Sequence, residues 1–446
     1  MEEGLRRLSD IGAEARADAE RSFVRLIQPF TFDARKHRRR EVPTGWHRDE
    51  APAELELLAS ARAYLERDCV LAAIDRNTLQ SYKKLGGQAE WRVVGRRRTA
   101  EASIEGAVPI AIEDAHVGLF PTGVGYVAIT VRPRTDDIGE WASALHALRF
   151  TDGLRSHLLA RRRIAEGTYV PWSPVTGDQG ADPASGWARA TLDELFAMLL
   201  RDWPVATDHA YVPGRALTYS GLFATGLTDG SRPMVRNALV NHFHDRQPVG
   251  DAWSLDGSGW MRFAGASGFG ITAEGSVFIG DGLPQVEFFE TAMPSLLRRE
   301  YGLIFLLAMH ERFVLLRFLS SLSDMRRRDR RQPGFEQFGA VRSAIQALQL
   351  ERHRRYSAAC ATSFGTDELY KDVEALVAAI DADANRSLEN LLVGAFAFPA
   401  ITLGWLGVNI DGLTANGGLS KCVAAAVLGL AYLTLGLTVY YARRVR

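Results

Sequence analysis

The polar residues that end an apolar segment near the C-terminus are the first candidates for chemistry in this sequence. Gly407, Val408 and Asn409 close an uncharged run that begins at Leu391. If copies of this run surround a common axis, Asn409 forms a ring of amide oxygens at the outer mouth of a pore. Such neutral dipoles suit a hard divalent cation that keeps its water shell, as Mg²⁺ does. We therefore predict that Asn409, with Gly407 and Val408 before it, contacts a hydrated metal ion at this mouth.

Other candidate sites in the sequence are weaker. His242 and His244 lie on one side of a predicted strand with Asp245 beside them, which are residue types of a metal site. A third ligand at a recognisable spacing is missing, so a structural or surface role is preferred. The glycines of segment 265–270 lack the lysine and Ser/Thr of a phosphate-binding loop and predict a hairpin turn, as does segment 121–126. Catalytic motifs are also missing, so the sequence predicts no enzyme.

Composition limits the classes of function. The chain has 446 residues, of which 47% are hydrophobic, which is enough for a sizeable core. Lys plus Arg and Asp plus Glu both count 53, so any recognition of nucleic acid would have to depend on a local basic surface. The three cysteines, Cys69, Cys360 and Cys422, are odd in number and far apart, which favours a reduced, cytosolic environment for most of the chain.

Four regions are expected to position these residues. Residues 1–106 are predicted to be a mainly helical cytoplasmic segment, and residues 107–285 a cytoplasmic α/β domain in which short strands are separated by glycines. Residues 286–389 have the pattern of long stalk helices. Residues 390–446 are predicted to form a transmembrane hairpin with a short outer loop.

The two spans are predicted from length and charge. Residues 391–410 and 422–442 are 20 and 21 residues without a formal charge, and about 20 residues cross the hydrocarbon layer. The basic C-terminal tail predicts that both termini are cytoplasmic, which gives a multi-pass protein of the inner or plasma membrane. The apolar run 301–319 is interrupted by His310 and by three charged residues, so we expect a buried helix there and not a span.

The stalk and the first span are expected to form one long helix. Apolar residues repeat along it every three or four positions. One interpretation is that this stripe packs the stalk against neighbouring helices. The other is that the stripe faces the axis of an oligomer, since two spans cannot enclose a water-filled path in a monomer. The residues then predicted to line the pore are Leu388, Leu391, Ala395, Phe398 and Thr402.

Taken together, these C-terminal features resemble the CorA metal-ion transporter family. The resemblance rests on two C-terminal spans, a long preceding stalk, Pro399, a Gly-x-Asn tripeptide, a short outer loop and a basic tail. It implies a funnel-shaped homopentamer in which the asparagine ring is the selectivity filter. The family's usual tripeptide is Gly-Met-Asn, and the Gly-Val-Asn variant is similar to its zinc-transporting branch, so Mg²⁺ and Zn²⁺ both stay open. The basic segment 325–334 is suited to anionic lipid headgroups.

The resemblance implies a divalent cation channel or transporter whose only metal is the transported ion, with no resident cofactor. Its partners would be other copies of the chain and membrane lipid. A first alternative is a CorA-like effector channel gated by a cytoplasmic small molecule or nucleotide, as in CRISPR-associated relatives. A second alternative is a membrane-anchored cytosolic enzyme or binding module.

Overall fold

A computed structural model describes the greater part of residues 15–379. The described residues are 15–34, 42–52, 55–57, 59–74, 78–79, 89–95, 107–176, 186–203, 205, 207–210, 214–240, 260–281, 287–324, 348, 350–376, 378–379, 426, 429 and 433. They cluster into two compact units, of which the first comprises 1–316 with 333–367 and the second 317–332 with 368–446. The sheet and the cleft described below belong to the first unit.

The described strands form one 15-stranded mixed sheet. The strands are β1 (Arg16–Ala17), β2 (Phe23–Phe32), β3 (His47–Arg48), β4 (Val70–Ile74), β5 (Ala89–Gly95), β6 (Val108–Leu119), β7 (Val124–Pro133), β8 (Ser156–Ala165), β9 (Thr168–Pro171), β10 (Ala188–Ala190), β11 (Thr207–Ala210), β12 (Leu217–Thr225), β13 (Trp260–Ala264), β14 (Ser267–Thr272) and β15 (Gly275–Asp281). The main path is β10-β8-β5-β6-β7-β2-β12-β15-β14-β13, with β4 beside the second half of β6 and β3 beside β4. Of the described pairs only β12 with β15 is parallel.

Helices accompany the sheet on both sides. The α-helices are α1 (Ala59–Ala63), α2 (Ile138–Leu148), α3 (Leu192–Leu200), α4 (Ser231–Val240), α5 (Met293–Leu296), α6 (Gly302–Asp324) and α7 (Glu351–Ser363). π-Helical turns occupy Tyr64–Asp68, Phe288–Ala292 and Leu297–Tyr301, so that α5 and the start of α6 are preceded by wider turns. Residues 366–376 are also helical.

The two faces of the sheet bury different kinds of residue. The first face, which carries Val24 and Leu26 of β2, packs in one apolar cluster with Trp141 of α2, Leu195 of α3 and Val235 of α4. Because side chains alternate along a strand, Phe23 and Arg25 lie on the opposite, second face.

Aromatic residues bring the remaining helices to the second face. Tyr219 of β12 lies 5.3 Å from Phe305 of α6, measured between ring centroids, and Phe269 of β14 lies 4.5 Å from Tyr356 of α7. The sheet therefore lies between two layers of helices.

The structure contradicts the predicted CorA-like architecture. The described chain is dominated by a large mixed sheet, where an α/β domain followed by a stalk and two spans was expected. A helix long and apolar enough to cross a membrane does not occur among the described residues. The predictions of a multi-pass membrane location and of a transmembrane ion channel were therefore wrong. Span 391–410 lies outside the described residues, and of span 422–442 only Ala426, Gly429 and Leu433 are described, each helical.

Helices α6 and α7 lie in the region that was predicted to be a stalk, and they pack on the second face of the sheet. Segment 301–319 is helical and largely buried, as predicted, but it covers the second face, and α7 covers β14. An apolar helix face is satisfied by a sheet as well as by neighbouring helices, so the apolar pattern of α6 did not specify what covers it.

The described part of the N-terminal region contains more strand than helix. A mainly helical segment was expected over residues 1–106, whereas the described part supplies β1 to β5 and helical residues at 59–68 and 78–79. Strand β2 is buried at all ten positions, and its mostly apolar sequence shows no strict alternation of apolar and polar residues. Such a run cannot be distinguished from a buried helix by periodicity.

Candidate functional site: a charged cleft on the second face

A cleft of about 630 Å³ opens between the second face of the sheet and the helical segment 290–306. Its floor is formed by β2, β4, β6 and β7, and its rim includes residues that follow or belong to β3. The lining is unusual because ionisable side chains of both signs dominate it. We call this site the charged cleft.

A β-bulge in β6 places consecutive acidic residues at the charged cleft. Ile112 pairs with Val131 and Asp114 with Thr130, so Glu113 is the extra residue between two regular pairs. A bulge of this kind shifts the alternation of side chains by one position. Even-numbered residues such as Ile110 face the apolar cluster before the bulge, and odd-numbered residues such as Ala115 face it afterwards.

The bulge also decides which polar residues enter the cleft. Glu113, Asp114 and His116 all line it, although a regular strand would direct Glu113 to the opposite face from Asp114. Gly118, two residues further on, leaves room for Tyr126, since a Cβ there would overlap the tyrosine ring.

His116 lies between two carboxylates. Its Nε2 is 3.0 Å from Oδ1 of Asp114, and its Nδ1 is 3.5 Å from Oδ2 of Asp49. Burial by itself lowers the pKa of His116, but the interactions with Asp114 and Asp49 together outweigh it, so the pKa is raised above its usual value. Burial raises the pKa of Asp114 and of Asp49, but in both the interactions with His116 outweigh it and hold the pKa below its usual value. The arrangement favours an imidazolium between two ionised carboxylates.

Arg25 is a buried cation in the floor of the cleft. It is 5% exposed, and its Nε donates to Oγ1 of Thr130 at 3.0 Å. Its Nη1 donates to the main-chain carbonyl of Arg298 at 3.1 Å, and its Nη2 lies 3.4 Å from Nε2 of His116. The guanidinium thus links the sheet to the helical wall and adds positive charge next to the imidazole.

Glu113 joins two further arginines. Its Oε1 lies 3.0 Å from Nε of Arg132, and its Oε2 accepts from Nη1 of Arg298 at 2.7 Å. Arg132 also pairs with the exposed Glu20. Glu113 is 8% exposed and Arg132 is 7% exposed, so this network is largely removed from water. Buried charges are tolerated here because Glu113 and both arginines each have a partner of opposite sign.

The helical wall is irregular where it meets the cleft. The π-helical turn Leu297–Tyr301 leaves carbonyls accessible to side chains from the sheet, since its hydrogen-bond ladder differs from that of an α-helix. Tyr219 donates to the carbonyl of Leu297 at 2.7 Å, and Arg25 uses the carbonyl of Arg298. π-Turns of this kind are frequent at functional sites.

Arg299 differs from the other arginines of the charged cleft. Its side chain is exposed and forms neither a hydrogen bond nor an ion pair with any residue that the structure describes. Arg298 beside it is held by Glu113, so of the two arginines on this wall it is Arg299 that is available to a ligand. On the β3 side of the cleft the exposed lining residues are His47, Asp49 and Glu50.

The site residues predicted from the sequence are not among the residues that the structure describes. Those proposed for the pore and filter all lie outside the described residues: Leu388, Leu391, Ala395, Phe398, Thr402, Gly407, Val408 and Asn409. The pair His242 and His244 with Asp245 lies outside them as well. The hairpin turns predicted at segments 265–270 and 121–126 are confirmed by the antiparallel pairs β13–β14 and β6–β7.

The sequence analysis missed the residues that form the cleft. The signal that could have revealed them is the polar run Glu113-Asp114-Ala115-His116 inside a strand that is otherwise apolar. A group of three or more His, Cys, Asp or Glu side chains arranged to hold a metal ion was not found in the described part of the chain.

Comparison with known proteins gave no match to a family model, a curated protein or a solved structure. The resemblance to CorA transporters is therefore untested by these comparisons. The predicted self-association, lipid contact and cytoplasmic ligand also stay predictions.

Proposed function

We propose that the chain is a ligand-binding protein whose charged cleft takes a small molecule with an anionic group at one end and hydrogen-bond donors at the other. A nucleotide has this chemistry, because its phosphate is anionic and its ribose and base carry donors. The observation that supports the proposal best is the free Arg299 on the helical wall, with exposed carboxylates on the β3 side.

The size and charge of the cleft are consistent with such a ligand. Its volume of about 630 Å³ falls within the range of about 300–1,000 Å³ that is typical of small-molecule sites. Arg25, His116 and Arg132 are already paired with protein groups, so they preorganise the floor and keep its charge balanced. Arg299 is then free to bind the anion, and Asp49 and Glu50 can accept from donor groups.

Isothermal titration calorimetry with ATP, AMP, ribose 5-phosphate and adenosine tests this proposal. We expect saturable binding of at least one phosphorylated compound and weaker binding of adenosine. Arg299→Ala should weaken that binding about tenfold or more, since a hydrogen bond to a charged group contributes about 1.5–3 kcal/mol. Arg354→Ala is a suitable control, because Arg354 is an exposed arginine of α7 that does not line the cleft.

A second variant tests the other end of the ligand. Asp49→Asn should reduce the preference for a nucleotide over ribose 5-phosphate, because the donors of the base would lose a charged acceptor. If none of these phosphorylated compounds binds the wild-type chain, or if Arg299→Ala binds them as the wild type does, the proposal is wrong.

A further inference from the structure

A second polar surface lies at the other end of the sheet path, on β5, β8, β9 and β10. In register, Arg92 of β5 is opposite Leu159 of β8, which is opposite Arg189 of β10. These three side chains therefore lie on one face, which is the face turned away from the apolar cluster that contains Leu158 and Ala160. Arg161 and Arg163 follow Leu159 on this face at steps of two residues. We call it the arginine face.

Aromatic rings order the arginines of this face. The guanidinium of Arg161 lies 4.4 Å from the ring centroid of Trp187 and 4.0 Å from that of Tyr169. The guanidinium of Arg92 lies 5.2 Å from the Trp187 ring. Arg161 is also held by Glu90, to which it donates through Nε and Nη2 at 2.9 and 2.7 Å. Tyr169, Arg161, Trp187 and Arg92 thus form a continuous series of cation–π contacts.

The charge of this face is not neutralised within the described chain. Glu90 pairs with Arg161, whereas Arg163 and Arg189 are exposed and form no ion pair with any described residue. The apolar patch beneath the arginines consists of Val94, Leu159 and Trp187. Four arginines therefore surround a small apolar centre, with one carboxylate among them.

We propose that the arginine face binds single-stranded nucleic acid, independently of the ligand proposed for the charged cleft. Arginines two residues apart on a strand are spaced by about 6.6 Å, which is close to the separation of successive phosphates in an extended single strand. Bases of single strands stack on aromatic rings and on guanidinium planes, and phosphates bind a positively charged surface beside them. The arginine face supplies both, although the net charge of the whole chain is zero.

Fluorescence anisotropy with a labelled 12-nucleotide oligouridylate and the full-length chain tests this proposal. We expect saturable binding that weakens steeply with salt. The double variant Arg163→Ala/Arg189→Ala should bind about tenfold more weakly at low salt, and the slope of log K against log[salt] should become shallower by about 1.4, or about 0.7 for each lost phosphate contact. Both side chains are exposed, so circular dichroism should show an unchanged fold.

Arg262→Ala is the matched control. Arg262 is exposed and lies on β13, the strand at the opposite end of the sheet path, so its loss should change the affinity less than about twofold.

Three outcomes would overturn the proposal. The first is no binding of oligouridylate by the wild-type chain at low salt, and the second is equal binding by the double variant. The third is equal competition by polyglutamate or by duplex RNA of matched charge, which would assign the surface to polyanions in general. Because none of these results depends on Arg299, failure here would be distinguishable from failure of the ligand proposal.

Discussion

The two faces of the central sheet are formed by the same strands but differ in the kind of residue that they bury. On the first face, alternate residues of β2 and β7 join an apolar cluster with α2, α3 and α4. On the second face, the intervening residues Arg25, Thr130 and Arg132 belong to a hydrogen-bonded and ion-paired network. Burial of apolar area stabilises the first face without directional requirements. The second face is stable only if each charged group keeps its partner, so it is the face on which a ligand can compete for interactions.

The largest expected effect comes from removing a large side chain of the first face. Trp141 of α2 is fully buried in the apolar cluster, so Trp141→Ala should lower the free energy of unfolding by about 4 kcal/mol. Urea denaturation followed by circular dichroism measures this change. Leu154→Ala is the control, since Leu154 is 63% exposed and its truncation should change stability by less than about 0.5 kcal/mol. Equal losses in the two variants would contradict the distinction between core and surface.

A nearly isosteric substitution on the second face should lower the free energy of unfolding almost as much as Trp141→Ala does. Glu113→Gln keeps the shape of the side chain but leaves Arg132 and Arg298 without their shared counter-charge. We expect a loss of about 3 kcal/mol in the free energy of unfolding, because breaking a buried ion pair leaves an uncompensated charge. The same urea titration measures it, with the exposed Glu351→Gln as control. A loss no greater than that of the control would show that the network does not stabilise the fold.

A smaller effect should appear as a dependence of stability on pH. His310 of α6 is completely buried beside Phe120 and Thr122, and burial lowers its pKa from 6.5 to about 3. Between these values the unfolded chain binds a proton that the folded chain does not, so stability falls as the pH is lowered. Protonation of His310 in the unfolded chain should lower the free energy of unfolding by about 2 kcal/mol between pH 7 and pH 5.

The comparison with His116 sharpens this prediction. The pKa of His116 is raised, so its contribution is fully present below pH 6.5 and is lost as the pH rises through the folded-state value. The melting temperatures of His310→Leu and of His116→Gln should be measured from pH 5 to 8. Relative to the wild type, the slope of melting temperature against pH should change in opposite directions in the two variants. A shared direction would mean that the carboxylates beside His116 do not control its charge.

Local signals in the sequence placed several elements correctly. Helix α2 begins after Asp137, whose side chain accepts from the main-chain N–H of Glu140, and α3 begins with a capping box of Thr191 and Glu194. Asp137 and Thr191 are residue types that favour the start of a helix from sequence alone. These elements were predictable because caps and turn glycines act over a few residues.

The candidate site was not predictable in the same way. The β-bulge at Glu113 depends on how β6 pairs with β7, and the partners of Arg25 come from residues 105 and 273 positions away in the chain. Sequence periodicity does not report such distant pairings. Apolar repeats at helical spacing also do not specify whether the covering surface is a sheet, a neighbouring helix or lipid, and this ambiguity led to the wrong architecture.

The sequence by itself determined where α2 and α3 and the hairpins at 121–126 and 265–270 form, because capping, turn chemistry and local apolar patterning specify them. It also determined that His310 lies in a buried helix, because a charge-interrupted apolar run is disfavoured in a membrane. Only the tertiary structure decided that Arg25, Glu113 and His116 meet in one cleft. The physical reason is that strand pairing and the bulge in β6, which depend on residues far apart in the chain, set which side of the sheet each charge occupies.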